Sequence, residues 1–164
     1  ALMYAPYTAP SMDYSGLLKL TSTLTRSAAE VAKMARVMIF NALFHNYDDH
    51  TKNFAFIGRD PERPGEEAQW TLAPAYDLTF SEARGEHTTA YGGRGKATRQ
   101  LIQELCADYK YLKPHDYIEQ TLAAFAKWDE VFRDVRIPLK AGTGYKTVLE
   151  KDHIHFNLIR PTRR

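Results

Sequence analysis

The chain has 164 residues, 44% hydrophobic and 26% charged, with a formal net charge of +2 at pH 7. That length and apolar share suffice for one substantial core and a single domain, while the near-balanced charge gives no electrostatic case for direct nucleic-acid binding. No apolar run reaches transmembrane length, no charged start with an apolar core marks a signal peptide, and the single cysteine, Cys106, cannot close an intramolecular disulfide, which suits a reducing cytoplasm.

The first predicted element is a helix. Ser27-Ala28-Ala29-Glu30 has the form of a capping box, with the serine placed to accept from a free backbone N–H. Behind it Val31, Met34, Ala35, Met38, Ala42 and either Ile39 or Leu43 repeat at three- and four-residue steps, the period of a helix with one buried face. It runs to about His45, where the polar cluster Asn46–Asp49 ends it. Phe54-Ala55-Phe56-Ile57 reads as a short strand, Gly58, Asp60, Pro61, Pro64 and Gly65 as turn breakers, and Gln69 to Leu72 as the return strand.

Farther on, Leu101, Ile102 and Leu105 share one side of a helix from Ala97 to about Ala107. Pro114 suits a first helical turn, and the helix it starts carries Tyr117, Ile118, Leu122, Phe125 and Trp128. Pro138 and Gly142-Thr143-Gly144 read as breakers, Ile154, Phe156 and Leu158 alternate as in a late strand, and the tail from Ile159-Arg160-Pro161 reads as frayed. The expected fold is mainly α, with one small β-hairpin.

The chemistry concentrates in Asn46-Tyr47-Asp48-Asp49-His50-Thr51-Lys52-Asn53 and in Ala73-Pro74-Ala75-Tyr76-Asp77. A protein-kinase catalytic loop uses an Asp to accept the proton of the substrate hydroxyl. An Asn five residues later and a second Asp downstream hold magnesium on the nucleotide phosphates. Asp48, Asn53 and Asp77 follow that order and spacing, with the predicted hairpin between the last two. A lone Asp-x-x-x-x-Asn is common by chance; the downstream Tyr76-Asp77 and the intervening hairpin make the combination specific.

Phe40-Asn41-Ala42-Leu43 ahead of the loop, together with Trp70-Thr71-Leu72-Ala73-Pro74-Ala75-Tyr76-Asp77-Leu78, resembles the HipA family of bacterial serine/threonine kinases, the toxins of type II toxin–antitoxin systems. The strong resemblance spans about residues 31–80 and weakens through Gly85–Lys96 and the helices to Trp128. It implies a protein-kinase-like C-lobe over residues 1–164, with the hairpin beside the catalytic loop. It further implies that Asp48 is the general base, that Asn53 and Asp77 ligate Mg2+, and that His50, Thr51, Lys52, Asn53, Tyr76 and Asp77 bind ATP, Lys52 neutralising phosphate charge. Asn41 and Asn46 would tie the loop down by hydrogen bonding, whereas Asp49 has no clear role in this scheme and is expected only to cap or to stay solvated. The implied partners are a protein substrate, with an aminoacyl-tRNA synthetase among the family's substrates, and a helix-turn-helix antitoxin through which alone DNA is contacted. The implied location is cytoplasmic, with no membrane partner.

The sequence departs from ordinary protein kinases. No His-Arg-Asp precedes the loop, the lysine stands four residues after the base, and Leu78-Thr79 follows Asp77 in place of Phe-Gly. No Gly-rich phosphate loop or Val-Ala-Ile-Lys strand occurs in the 164 residues, so the expectation is a lobe of a longer kinase, inactive by itself. Gly92-Gly93-Arg94-Gly95-Lys96 is no phosphate loop, because Ala90 and Ala97 break the G-x-x-x-x-G-K-[ST] pattern; it reads as a mobile loop. Arg94, Lys96 and Arg99 read as a solvated basic face, and His87, His115, His153 and His155 as surface or structural histidines. Two rival readings stand beside the kinase: a metal-dependent phosphohydrolase on His45, Asp48, Asp49 and His50, and a non-catalytic module that binds an antitoxin.

Overall fold

The computed structural model describes residues 12–61, 63, 65, 67–81 and 85–159. Helix α1 spans Tyr14–Thr25, capped by Asp13, whose side chain accepts from Ser15 N–H. Tyr14, Leu17, Leu18 and Thr21 form its buried stripe at the i, i+3, i+4, i+7 positions. Arg26 ends it in the left-handed conformation at φ 51°, with its N–H on Ser22 O, and Ser27 opens α2 (Ala28–Leu43) one residue later. Only Arg26 and Ser27 separate the two helices, which pack against each other. Sequence reasoning did not anticipate α1, although its stripe has the same period that reveals α2.

Along α2, Val31, Met34, Ala35, Met38, Ile39, Ala42 and Leu43 are buried, and each large side chain so removed from water contributes about 1.5–3 kcal/mol. The capping box is only half formed. Ser27 Oγ accepts from Glu30 N at 3.4 Å, but Glu30 turns away from Ser27 to accept from Leu72 N at 2.8 Å and to meet Lys33 Nζ at 2.6 Å. Glu30 thus fastens the start of α2 to the hairpin.

The hairpin pairs β1 (Phe56–Arg59) with β2 (Gln69–Leu72) antiparallel, Phe56 opposite Leu72 and Arg59 opposite Gln69. β1 starts two residues later than expected because Thr51–Asn53 forms a 3-10 turn first. Gly58, expected as a breaker, lies within β1 opposite Trp70; a Cβ there would stand 2.9 Å from the indole. Pro64, another expected breaker, lies outside the described residues.

Helix α3 (Arg99–Cys106) is capped by Thr98, and α4 (Pro114–Ala126) starts on the predicted proline. Trp128, expected at the end of α4, instead opens a short α5 (Trp128–Asp134). Two expectations fail at α6, which runs unbroken from Leu139 to His155. Gly142 and Gly144 lie inside it, and the alternation at Ile154–Leu158 is a helix end and not a strand. The reason is packing. A Cβ on Gly142 would sit 2.4 Å from Phe132 Cε1, so its absence lets α6 close on α5. Ile154, meanwhile, is 72% exposed and has no strand partner. The tail beyond Ile159, expected to fray, lies outside the described residues.

A further correction concerns Arg99. It is buried and not part of a solvated face, donating to Leu158 O and to Glu119 Oε1 at 3.0 Å. Gly92 and Gly93, at φ 60° and 75°, make a two-residue turn closed by reciprocal Tyr91 and Arg94 backbone bonds. Gly93 N–H donates to Asp13 Oδ2 at 2.7 Å, so the segment expected as a mobile loop is tied to the start of α1. No described helix is long and apolar enough to cross a membrane.

Candidate functional site

The loop after α2 is shaped by how that helix stops. His45 adopts the left-handed conformation at φ 59°, and Asn46 N–H reaches back to Asn41 O at 3.0 Å. This is the closure that satisfies orphan carbonyls at a helix C-terminus, with histidine where glycine is usual. The chain leaves the helix sharply and is gripped by the later segments. Ser81 N–H donates to His45 O at 2.9 Å, and Thr88 donates to Tyr47 O through its N–H at 3.0 Å and its hydroxyl at 3.1 Å.

Two neighbouring aspartates then part ways. The Asp48 side chain is 57% exposed, whereas that of Asp49 is wholly buried. Asp49 Oδ2 accepts from Tyr14 OH at 2.7 Å and lies 2.9 Å from His87 Nδ1. Its Oδ1 accepts from Thr89 N–H at 3.0 Å, and its carbonyl accepts from the Thr89 hydroxyl. Tyr14 OH accepts in turn from Asn41 Nδ2 at 2.9 Å, and Asn41 Oδ1 from Asn46 Nδ2 at 3.1 Å. Burial, with Tyr91 and Asp49 beside it, holds the Tyr14 hydroxyl well above its usual pKa, so it remains a donor. Asp49, expected only to cap or to stay solvated, is instead fully buried, because Tyr14, His87 and Thr89 take its carboxylate, and it is the hub that joins α1, α2, the loop and residues 87–89.

At its far end the loop meets the segment after the hairpin. Asn53 Nδ2 donates to Asp48 O at 2.8 Å, bracing the turn that carries the base candidate. Tyr76 OH donates to Lys52 O at 2.5 Å, and Asn46 Nδ2 reaches Asp77 O at 3.3 Å. Residues 46 and 52 are thereby held against 77 and 76, and Asn53 is held against Asp48. Asp77 has a left-handed backbone, φ 54°, which Asp enters more readily than most residues. Its side chain is exposed, as is that of Lys52, while His50 and Thr51 are half-buried.

A hard cation prefers oxygen ligands, and magnesium takes one or two carboxylates with substrate phosphates and water. Asp77 carries one such carboxylate, and Asn53 offers an amide oxygen. The amide uses its Nδ2 on Asp48 O, and the atom a cation would take is Oδ1. Among the described residues no group of three or more His, Cys, Asp and Glu is gathered as a metal cage. The four residues of the rival hydrolase cluster separate: His45 Nε2 faces Asp152 Oδ2 at 2.5 Å, Asp49 points inward, and only His50 stays near Asp48, Nε2 to Oδ1 at 4.0 Å.

His87 and His153 are buried structural histidines, as one of the two expected options had it. Sequence reasoning missed Tyr14, His87, Thr89 and Asp152 as supports of the loop. Only Tyr14 had a local signal, its place on the apolar stripe of α1; the others lie more than 35 residues from their partners. A groove of about 780 Å³, lined in part by Leu24, Arg26, Glu67 and Trp70, includes none of the loop residues.

The family model described as HipA-like C-terminal domain matches residues 1–131. Neither the curated proteins nor the solved structures compared with the chain gave a match.

Proposed function

The chain belongs to the HipA-like C-terminal domain family, and on that premise we propose that it is the catalytic C-lobe of a serine/threonine protein kinase, the toxin of a type II toxin–antitoxin module. One arrangement supports this reading above the others. Asp48 is presented to solvent from a loop whose neighbour Asp49 is locked inside, while Asn53 and the backbone of Asp77 are fastened to that same loop.

In this reading an Asp48 carboxylate oxygen takes the proton of a serine or threonine hydroxyl. The hydroxyl oxygen attacks the γ-phosphorus of ATP, the bond to the β–γ bridging oxygen breaks, and ADP leaves. Asn53 and Asp77 would hold Mg2+, which when bound neutralises charge on the phosphates. Lys52, which is exposed, would meet phosphate, and His50, Thr51 and Tyr76 would line the nucleotide. The Gly-rich loop and its lysine, which these 164 residues do not contain, would come from another part of the protein. The proposed partners are a protein substrate, aminoacyl-tRNA synthetases being among the family's substrates, and a helix-turn-helix antitoxin that carries any DNA contact, in the cytoplasm. The hydrolase reading has no observation in its favour, since His45 is turned to Asp152.

Asp48→Asn in the full-length protein tests the proposal by phosphate transfer from labelled ATP. Loss of a general base lowers the rate by about 10²–10⁴, and ATP binding should persist. Undiminished transfer by this variant would overturn the role of Asp48.

A further inference from the structure

Helix α6 lies beyond the residues matched by the family model, yet two consecutive side chains near its end grip the entry to the loop. Asp152 Oδ2 is 2.5 Å from His45 Nε2, the residue whose left-handed backbone turns the chain out of α2. The same oxygen accepts from Tyr47 OH at 3.4 Å, and the His45 and Tyr47 rings lie 3.9 Å apart, centroid to centroid. One residue on, His153 Nε2 meets Leu43 O at 2.7 Å, one of the last four α2 carbonyls, which have no partner within the helix. The His153 and Phe125 rings meet in a T-shaped contact, 4.9 Å between centroids, and Leu149 is buried one turn earlier in α6.

Residues 43, 45 and 47 are therefore held from α6, and Asp48 follows directly. The backbones of His45 and Tyr47 are held by Ser81 and Thr88 and the Asp49 side chain from within the core, while Asp152 holds the His45 and Tyr47 side chains from the C-terminal helix. A carboxylate shared by His45 and Tyr47 limits both side chains at once, and so limits the direction in which the next residue leaves. We propose that Asp152 is a positioning residue that sets the presentation of Asp48 through His45 and Tyr47. The inference rests on the reading of Asp48 as the base.

The test uses full-length protein, with Asp152→Ala compared to Asp152→Asn, which keeps an acceptor oxygen. At temperatures where both variants are folded, Asp152→Ala should lower kcat for phosphate transfer by about 10-fold or more, in keeping with the cost of small misplacements at a reacting group. KM for ATP should be unchanged, and Asp152→Asn should restore most of the rate. A purely structural contact would lower the melting temperature and leave kcat per folded molecule intact; that result overturns the proposal. Amide hydrogen exchange supplies a readout independent of chemistry, with residues 45–50 exchanging faster in Asp152→Ala while α1 keeps its protection. Unchanged exchange there also overturns it. Should Asp152→Ala fail to fold, His45→Asn carries the same two measurements, because Asn tolerates left-handed backbone and is shorter than the reach to Asp152. If Asp48→Asn proves fully active, the reading of the base fails, and exchange alone then decides whether Asp152 positions the loop.

Discussion

Asp49 Oδ2 and His87 Nδ1 lie 2.9 Å apart with both side chains withdrawn from solvent, joining the second aspartate of the loop to a residue 38 positions away. Because Tyr14 OH shares that oxygen and Thr89 N–H takes the other, the Asp49 carboxylate is bound on both sides. A loop held at one aspartate can present the aspartate before it, and this division of labour sets the first prediction.

Adjacent substitutions should have opposite phenotypes. Asp49→Ala strips partners from Tyr14, His87 and Thr89, each buried group left unpaired costing about 1–3 kcal/mol. Urea denaturation should show a large drop in midpoint with little change in slope. Asp48→Ala, at an exposed position, should stay within about 0.5 kcal/mol of the parent. Equal stability losses would mean that the burial contrast between the two carboxylates is not real.

Asp77→Asn removes the charged member of the proposed cation pair and nearly preserves side-chain size. ATP binding in the full-length protein should then require more magnesium, whereas Asp48→Asn should show the parent dependence. Titrations of ATP affinity at several magnesium concentrations would separate the two. An unshifted requirement in Asp77→Asn would remove Asp77 from the ligand set.

Burial pushes the His153 pKa below its ordinary 6.5, and this outweighs the upward pull of its bond to Leu43 O. The unfolded chain consequently takes up this proton more readily than the folded one. The stability His153 supports is complete above pH 6.5 and declines as pH falls through that value toward the lower folded pKa. Urea midpoints measured from pH 8 to pH 5 should fall less steeply in His153→Gln, which retains a donor for Leu43 O. Parallel curves would show that His153 is not withdrawn from solvent as described.

The two glycines of α6 should respond in opposite directions. Gly142→Ala places a Cβ 2.4 Å from Phe132 Cε1, and overpacking of this kind costs about 1–3 kcal/mol. Gly144→Ala meets nothing within 4 Å and should gain up to about 1 kcal/mol from helix propensity. Thermal melts of the two single variants check the pair. A stabilising Gly142→Ala would contradict the close approach of α5 and α6.

The sequence by itself determined the elements whose signals are local. Ser27 and the stripe from Val31 to Leu43 announce α2, Pro114 announces the start of α4, and the apolar runs flanking a turn announce the hairpin. It also carried the motif Asp48, Asn53 and Asp77, and with it the family, since order and spacing are properties of the chain. Only the tertiary structure decided which of two adjacent aspartates faces water. An irregular loop has no side-chain period, so the choice fell to Tyr14, His87 and Thr89, brought in from distant segments. The same holds for α6, where Gly142 and Gly144 read as breakers through their helix propensity, each about 1 kcal/mol less favourable than alanine. Packing of Phe132 and Trp128 over the bare backbone of Gly142 overrode that preference, and the completed helix brought Asp152 and His153 to the loop.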